Sequence, residues 1–232
     1  KEDLLYLQIG AECSKCYSYY TYQCDSLMAS PNGDKLWDSF LTEAVGKGLK
    51  GKQLHNAIPH RRMSATIYKN YPQGKITVTD FLLGQYYLYE DALNSQEWNI
   101  ESDSMKVVLG HECQKATCSF RGRKWTAWFA LDVPISDGPL IFCGLPGLIM
   151  EVYDRGKQYY FCINGMQQVS ATPITFGNLD KDFKHFQKIN RKDFLISKYR
   201  YLRNQNSINE ASTGISLGSV DEALKYDLIE RE

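Results

Sequence analysis

Residues 122–129 read Gly-Arg-Lys-Trp-Thr-Ala-Trp-Phe, and the chain continues with VPISDGP at 133–139 and FCGLPGLI at 142–149. The aromatic run favours an extended strand, in which successive side chains point to opposite faces of a sheet. Trp125 and Trp128 are therefore predicted to lie on opposite faces. We expect one indole in the core and the other lining a groove.

Turn signals lie within this stretch and on both sides of it. Pro146-Gly147 suits the central positions of a type II turn, because proline fixes φ and glycine supplies a positive φ. Arg121-Gly122-Arg123 separates two strand patterns and is short enough only for an antiparallel hairpin. Asn164-Gly165 predicts a further hairpin, since both central residues of a type I′ turn need positive φ.

Strand patterns extend over most of the chain between residues 4 and 170. They combine aromatic and alternating residues with turn residues, such as those at 71–74, that separate one strand from the next. Strands are predicted at 4–9, 17–22, 63–69, 75–82, 85–90, 113–120, 124–131, 148–153, 158–163 and 166–170. We predict a mainly β (α+β) fold, with a large curved antiparallel sheet or half-barrel meander and a few packing helices.

Two stretches have the periodicity of helices. Apolar residues recur at intervals of three and four between residues 34 and 45. Within the basic stretch 181–203, Phe194, Leu195, Tyr199 and Leu202 share a helical face. A basic amphipathic helix can bind a membrane, although packing of that face on the sheet already explains the pattern.

The acidic C-terminal stretch predicts the domain organisation. Residues 204–218 have the composition of a polar linker, and a capping box at 219–222 indicates a short helix. We predict a single β-rich domain at 1–203, followed by the linker and a short C-terminal helix at 204–232.

Composition excludes several classes of protein. The 232 residues contain 27 Lys or Arg and 27 Asp or Glu, so no net field favours nucleic acid. No apolar run reaches the roughly 18–20 residues of a membrane span. The chain starts at Lys1 rather than at a methionine, from which a processed N-terminus is expected. The 16 Tyr and 10 Phe are typical of strands.

Three stretches match the sequence patterns of catalytic or metal-binding motifs, but their sequence surroundings do not fit those motifs. The GxGxxG pattern at 46–51 follows a predicted helix, whereas a dinucleotide site follows a strand and opens a helix. The GxSxG pattern at 214–218 follows a polar linker and has no histidine after it, which the hydrolase order requires. Cys13 and Cys16 form a CxxC pair without a second pair to complete four zinc ligands.

An enzyme and a metal protein remain as alternatives. An envelope hydrolase would use His111 with Glu112, or Asp132 and Asp137, but neighbouring residues on a strand face opposite ways and form no local dyad. A Cys/His soft-metal protein would need its ligands to converge in space.

The central stretch closely resembles the GLPGLI family, which takes its name from the hexapeptide at 144–149. The resemblance extends to residues 110–116, 122–123, 127–129 and 137–139. It implies a secreted or envelope-associated protein of Bacteroidetes-type bacteria, made with a signal peptide that is later removed, and of uncharacterised function. The residues that carry this signature are Gly122, Arg123, Pro134, Gly138, Pro139, Gly144, Pro146 and Gly147.

The leading functional hypothesis is a non-enzymatic extracytoplasmic binding or carrier protein of the cell envelope. Its ligand would be an apolar small molecule, a lipid or a peptide, or its partner an envelope protein. We expect no catalytic residue, cofactor, metal, nucleic acid or membrane span. The candidate ligand-lining residues are Trp125, Trp128, Phe142, Leu145 and Leu148.

Overall fold

The computed structural model describes residues 2–170, 172–176, 185–213 and 228–230. Within them the strands form two sheets, of six and of five strands, and all pairs are antiparallel except β11 with β5. The first sheet has the order β1 (Leu5–Ile9), β2 (Ser14–Ser18), β3 (Thr66–Lys69), β4 (Lys75–Leu82), β5 (Gln85–Ala92) and β11 (Gln187–Lys188). The second has the order β10 (Tyr160–Cys162), β9 (Leu148–Asp154), β8 (Arg123–Ala130), β7 (His111–Phe120) and β6 (Asn99–Val108). The helices are α1 (Tyr19–Met28), α2 (Gly33–Gly46), α3 (Gly51–Ala57) and α4 (Arg191–Thr213).

The mainly β fold is confirmed, but its strands are divided between two sheets instead of forming one. The division occurs where residues 93–98 leave β5. Gln96 donates to the carbonyl of Ile141 at 3.0 Å and accepts from the N–H of Cys143 at 3.1 Å. The indole of Trp98 donates to the Cys143 carbonyl at 2.8 Å. These residues bond to the chain between β8 and β9, so β5 and β6 do not pair.

The segment at 131–147, which connects β8 to β9 and is called the joint segment below, links the two sheets through their cores. Leu140 and Ile141 pack in the cluster built by the first sheet. Phe142 and Leu145 pack in the cluster built by the second. Burying an aliphatic or aromatic side chain of this size stabilises by about 1.5–3 kcal/mol. Four such side chains in two neighbouring cores therefore hold the sheets to one another.

The strand predicted at 17–22 is wrong beyond Ser18. The chain turns there into α1, because Ser18 is the helix N-cap and its hydroxyl accepts from the N–H of Thr21 at 3.2 Å. The aromatic residues that follow Ser18 favour a strand by propensity, and this local cap overrides that preference.

The hairpin predicted at Asn164-Gly165 is also wrong. Neither residue has the positive φ that a type I′ turn requires, and no strand follows at 166–170. The preceding strand, predicted at 158–163, is confirmed as the short strand β10, which follows β9 after a turn at 155–159.

Helix α2 confirms the prediction at 34–45, and α4 extends the predicted basic helix. The linker predicted from residue 204 is wrong as far as Thr213, since no glycine or proline interrupts the chain between Arg191 and that residue. The predicted helix at 219–222 lies outside the described residues. In the part of the chain that the structure describes, no helix has the length and apolarity to cross a membrane.

Candidate functional site

Gly147 belongs to the interior of the fold rather than to a binding surface. A Cβ at this position would lie 2.0 Å from the carbonyl oxygen of Ala130, so only glycine allows the joint segment to pass the end of β8. The positive φ predicted for Gly147 is wrong, because the left-handed glycine of the hexapeptide is Gly144, with φ +89°. Gly138 is also closely packed, since a Cβ there would lie 2.8 Å from Cβ of Ile149.

A buried ion pair ties the joint segment to the first sheet. Lys69 on β3 has a side chain that is only 3% exposed, and it pairs with Asp137. Its ammonium also donates to the carbonyl oxygens of Gly138 and Phe142. Asp137 is therefore committed to a structural pair and is not available as the catalytic carboxylate of the hydrolase hypothesis.

The hairpin predicted at 121–123 is confirmed, with φ of +48° at Arg121 and +72° at Gly122. Arg123 at its end is buried and donates from Nη1 to Asp154 at 2.7 Å. The same guanidinium donates from Nε to the carbonyl of Ile229 at 3.0 Å and from Nη2 to that of Leu228 at 2.8 Å. The arginine of the signature thus fastens the chain near its C-terminal end.

The structure places four of the five candidate lining residues in packed core. Trp125, Phe142 and Leu145 belong to one cluster, in which the rings of Trp125 and Phe142 meet edge to face at 4.6 Å. Leu148 is buried in the neighbouring cluster. Trp128 is half-buried on the opposite face of the sheet, as the alternation of side chains predicts, with the Lys106 ammonium 5.1 Å from its ring centroid. The prolines of the signature differ: Pro134 and Pro146 are exposed and Pro139 is half-buried.

The residues of the hydrolase hypothesis come together only in part. The Nδ1 atom of His111 lies 2.7 Å from an Oδ atom of Asp132, and this pair is near the surface. The thiol of Cys113 lies two residues along the strand, but burial raises its pKa, so it remains protonated and unreactive.

The convergence that the soft-metal hypothesis needs is not found in the described ranges, where no three His, Cys, Asp or Glu side chains are placed to hold an ion. All seven cysteines lie in those ranges, and all are free thiols. Five of them are buried, at positions 16, 24, 113, 118 and 143.

We expect thiol reagents to distinguish the cysteines by burial. In the native protein Cys162 should react quickly with Ellman's reagent and the half-buried Cys13 slowly, because the reactive species is an accessible thiolate. Burial raises the pKa of Cys118 to about 12, and it also raises the pKa values of Cys16 and Cys143. Titration should therefore find seven thiols only after unfolding, and Cys162→Ser should remove the fast phase. A disulfide would show as fewer than seven thiols in the unfolded protein.

The described residues contain a groove of about 370 Å³ between α1, α2 and the chain at 56–62. Apolar and aromatic side chains form most of its wall, including Leu27, Phe40 and Ile58. Polar and cationic groups lie on the rest of it. Its lining residues are Tyr20, Gln23, Cys24, Leu27, Phe40, Asn56, Ala57, Ile58, Pro59, His60 and Arg62.

Arg62 gives this groove a positive charge. Its guanidinium lies 3.9 Å from the centroid of the Tyr20 ring. It donates to the carbonyl of Glu2, and among the described residues no carboxylate forms an ion pair with it. The neighbouring Arg61 differs, because it is paired with Asp25 at 2.5 Å. Arg62 therefore retains an unneutralised charge next to an apolar wall.

None of the candidate lining residues predicted from the sequence contributes to this groove. One signal for it was present in α2, where the sequence predicts an apolar helical face. In the structure Phe40, which lines the groove, is 38% exposed, and Leu36 one turn away is 43% exposed. An apolar helical face left this open is consistent with a binding surface.

Comparison with known proteins places the chain near one family of unknown function. The model of a family described as "Protein of unknown function (Porph_ging)" matches residues 119–151, which is consistent with a Bacteroidetes-type family. None of the curated proteins matches this chain.

The chain is also similar to two solved structures of PNGF-II, in space groups P21 and C2. The first is 11% identical with a TM-score of 0.48, over 84% of this chain and 29% of that chain. The second is 11% identical with a TM-score of 0.46, over 85% of this chain and 30% of that chain. This chain thus spans less than a third of the length of either.

Proposed function

We propose that the protein is a non-enzymatic binding protein that holds an amphipathic ligand, with an apolar body and an anionic group, in the groove between α1, α2 and residues 56–62. The observation that carries this proposal is the guanidinium of Arg62, which lies beside the apolar wall without a carboxylate partner among the described residues. Arg62 is exposed at the groove and, unlike the neighbouring Arg61, which is paired with Asp25, has no such partner within the described ranges. The guanidinium of Arg62 is therefore a charge that a ligand in this groove can reach.

The size and lining of the groove support a small molecule. Its volume of about 370 Å³ lies in the usual range of ligand sites, which combine apolar walls with a few polar groups that orient the ligand. Each methylene buried against Phe40 and Leu27 contributes about 0.8 kcal/mol. An anionic group at Arg62 adds a charge-assisted hydrogen bond, which is stronger than one between neutral groups.

We further propose that the chain belongs with the GLPGLI proteins and works outside the cytoplasm, as a carrier in the cell envelope. The family match at 119–151 contains the signature hexapeptide and supports this assignment. Free thiols are compatible with an oxidising compartment where the chain buries them, as it does five of its seven.

Calorimetric titration with dodecanoate, and with dodecanol as its neutral analogue, tests the proposed ligand class. Phe40→Ser should weaken the binding of both probes about tenfold, since it removes apolar contact worth about 1.5 kcal/mol or more. Arg62→Gln should weaken only dodecanoate, by a similar factor. The matched control Val45→Ser changes an exposed apolar residue of the same helix outside the groove, and it should leave both affinities unchanged. No binding of dodecanoate at millimolar concentration, or equal binding by wild type and Phe40→Ser, would contradict the proposal.

A further inference from the structure

Among the described side chains of helix α4, those that pack on the first sheet lie on one side of the helix. Phe194 is 2% exposed, and its ring lies 5.7 Å from that of Tyr87 and 5.5 Å from that of Tyr89. Tyr201, about two helical turns after Phe194, packs against the same cluster. The prediction that Tyr199 shares this face with Phe194 is wrong, because Tyr199 lies about 140° further around the helix and is 44% exposed.

The opposite side of α4 carries a second apolar group. Ile196 and Tyr199, one turn apart, are 41% and 44% exposed. At about 100° per residue they point away from Phe194, as do three exposed cationic residues. We call this set the outer stripe: Lys192, Ile196, Tyr199, Arg200 and Arg203.

The cations of α4 that have carboxylate partners among the described residues lie towards the first sheet, and those without such partners lie on the opposite side. Arg191 pairs with Asp91 at 3.0 Å and with Glu230 at 3.2 Å, and Lys198 pairs with Asp80. Within the described ranges, the three cations of the outer stripe have no carboxylate partner. The exposed Asp193 lies beside the N-terminal end of the outer stripe, and the three cations leave the stripe with a net positive charge.

We infer that the outer stripe docks α4 flat on the surface of an anionic lipid bilayer. Two features favour a bilayer over a nucleic acid or an acidic protein. Along the helix axis the two apolar residues lie between one cation before them and two after them, so apolar and cationic side chains can meet the same membrane surface. Tyr199 combines a ring that enters the interface with a hydroxyl that stays at headgroup level, and the arginine stems extend to the phosphates.

This inference is independent of the ligand groove, which lies on other helices. It predicts weak and reversible binding, because only two apolar side chains enter the interface. Each cation near an anionic surface contributes about fivefold to the partition coefficient at low salt. The attraction should fall when salt shortens the Debye length to about 4 Å or less.

Co-sedimentation with vesicles of phosphatidylcholine alone, or with 30% phosphatidylglycerol, tests the inference. At low salt the protein should partition at least about tenfold better into the anionic vesicles. Arg200→Glu/Arg203→Glu should abolish that preference, and Ile196→Ser/Tyr199→Ser should lower the partition coefficient about tenfold. All four side chains are exposed, so the variants should fold with unchanged thermal midpoints. If the charge-reversal variant does not fold, Arg200→Gln/Arg203→Gln replaces it in the assay.

A matched control makes the same change of charge at a site away from the outer stripe and its apolar residues. Lys124→Glu/Arg155→Glu reverses two exposed cations at the tip of the second sheet, and it should leave vesicle binding within about twofold of wild type. Equal binding to neutral and anionic vesicles, no binding to either, or an equal loss in this control would overturn the inference. Binding to duplex DNA without binding to vesicles would assign the stripe to nucleic acid instead.

Discussion

Gly147→Ala is expected to lower the free energy of unfolding by about 3 kcal/mol or more, at the upper end for an overpacked site. The added Cβ would lie 2.0 Å from the carbonyl oxygen and 2.7 Å from the carbonyl carbon of Ala130. Both are backbone atoms, and Ala130 pairs with Leu148 in the β8–β9 ladder. The methyl group can therefore be accommodated only if that end of the ladder separates.

Urea denaturation followed by tryptophan fluorescence measures this effect. Gly46→Ala is the matched control, because its Cβ would meet no atom within 4 Å and the residue ends α2. Alanine is the better helix former there, so the control should gain up to about 1 kcal/mol. A Gly147→Ala protein within about 0.5 kcal/mol of wild type, roughly the limit of measurement, would show that the close approach is not maintained in solution.

Arg123→Met is expected to cost about 3–5 kcal/mol, the range for breaking one partner of a buried ion pair. Arg123 and Asp154 have side chains that are 2% and 6% exposed. Without the guanidinium, the carboxylate of Asp154 stays buried without its counter-ion. The carbonyls of Leu228 and Ile229 lose their donors in the same step.

The double variant Arg123→Met/Asp154→Asn separates these two losses. Asparagine keeps an oxygen that can accept from the N–H of Tyr159, as Asp154 does at 3.1 Å, and it carries no charge. The double variant should therefore recover part of the stability lost in the single one. Both variants should release C-terminal residues faster to a carboxypeptidase. A loss below about 1 kcal/mol in Arg123→Met, as for an exposed pair, would contradict the buried-pair argument.

Local signals predicted four of the five strands of the second sheet, but not β6. The hairpin at 121–123 and the opposite orientations of Trp125 and Trp128 depend on turn chemistry and on the period of a strand, which a few neighbouring residues determine. The division into two sheets depends on contacts such as Lys69 with Asp137, which are far apart in sequence. Nothing near either residue indicates its partner.

The groove was missed for a related reason. The periodicity of α2 shows that one face of the helix is apolar, but it does not show what covers that face. The five candidate lining residues were chosen because they are large and apolar, a property that core and binding residues share. Arg62 was not singled out, because its lack of a carboxylate partner is visible only in three dimensions.

The joint segment faces the core of the protein, and this limits where proteins that share its motif can differ in sequence. Gly138, Gly147 and Lys69 lie in the interior, where a substitution that changes volume or charge destabilises the fold. They place no restriction on the loops and helix faces that meet other molecules. Proteins that keep this motif would therefore share one fold and could still differ in the molecules they bind. The presence of the motif alone would not predict the ligand.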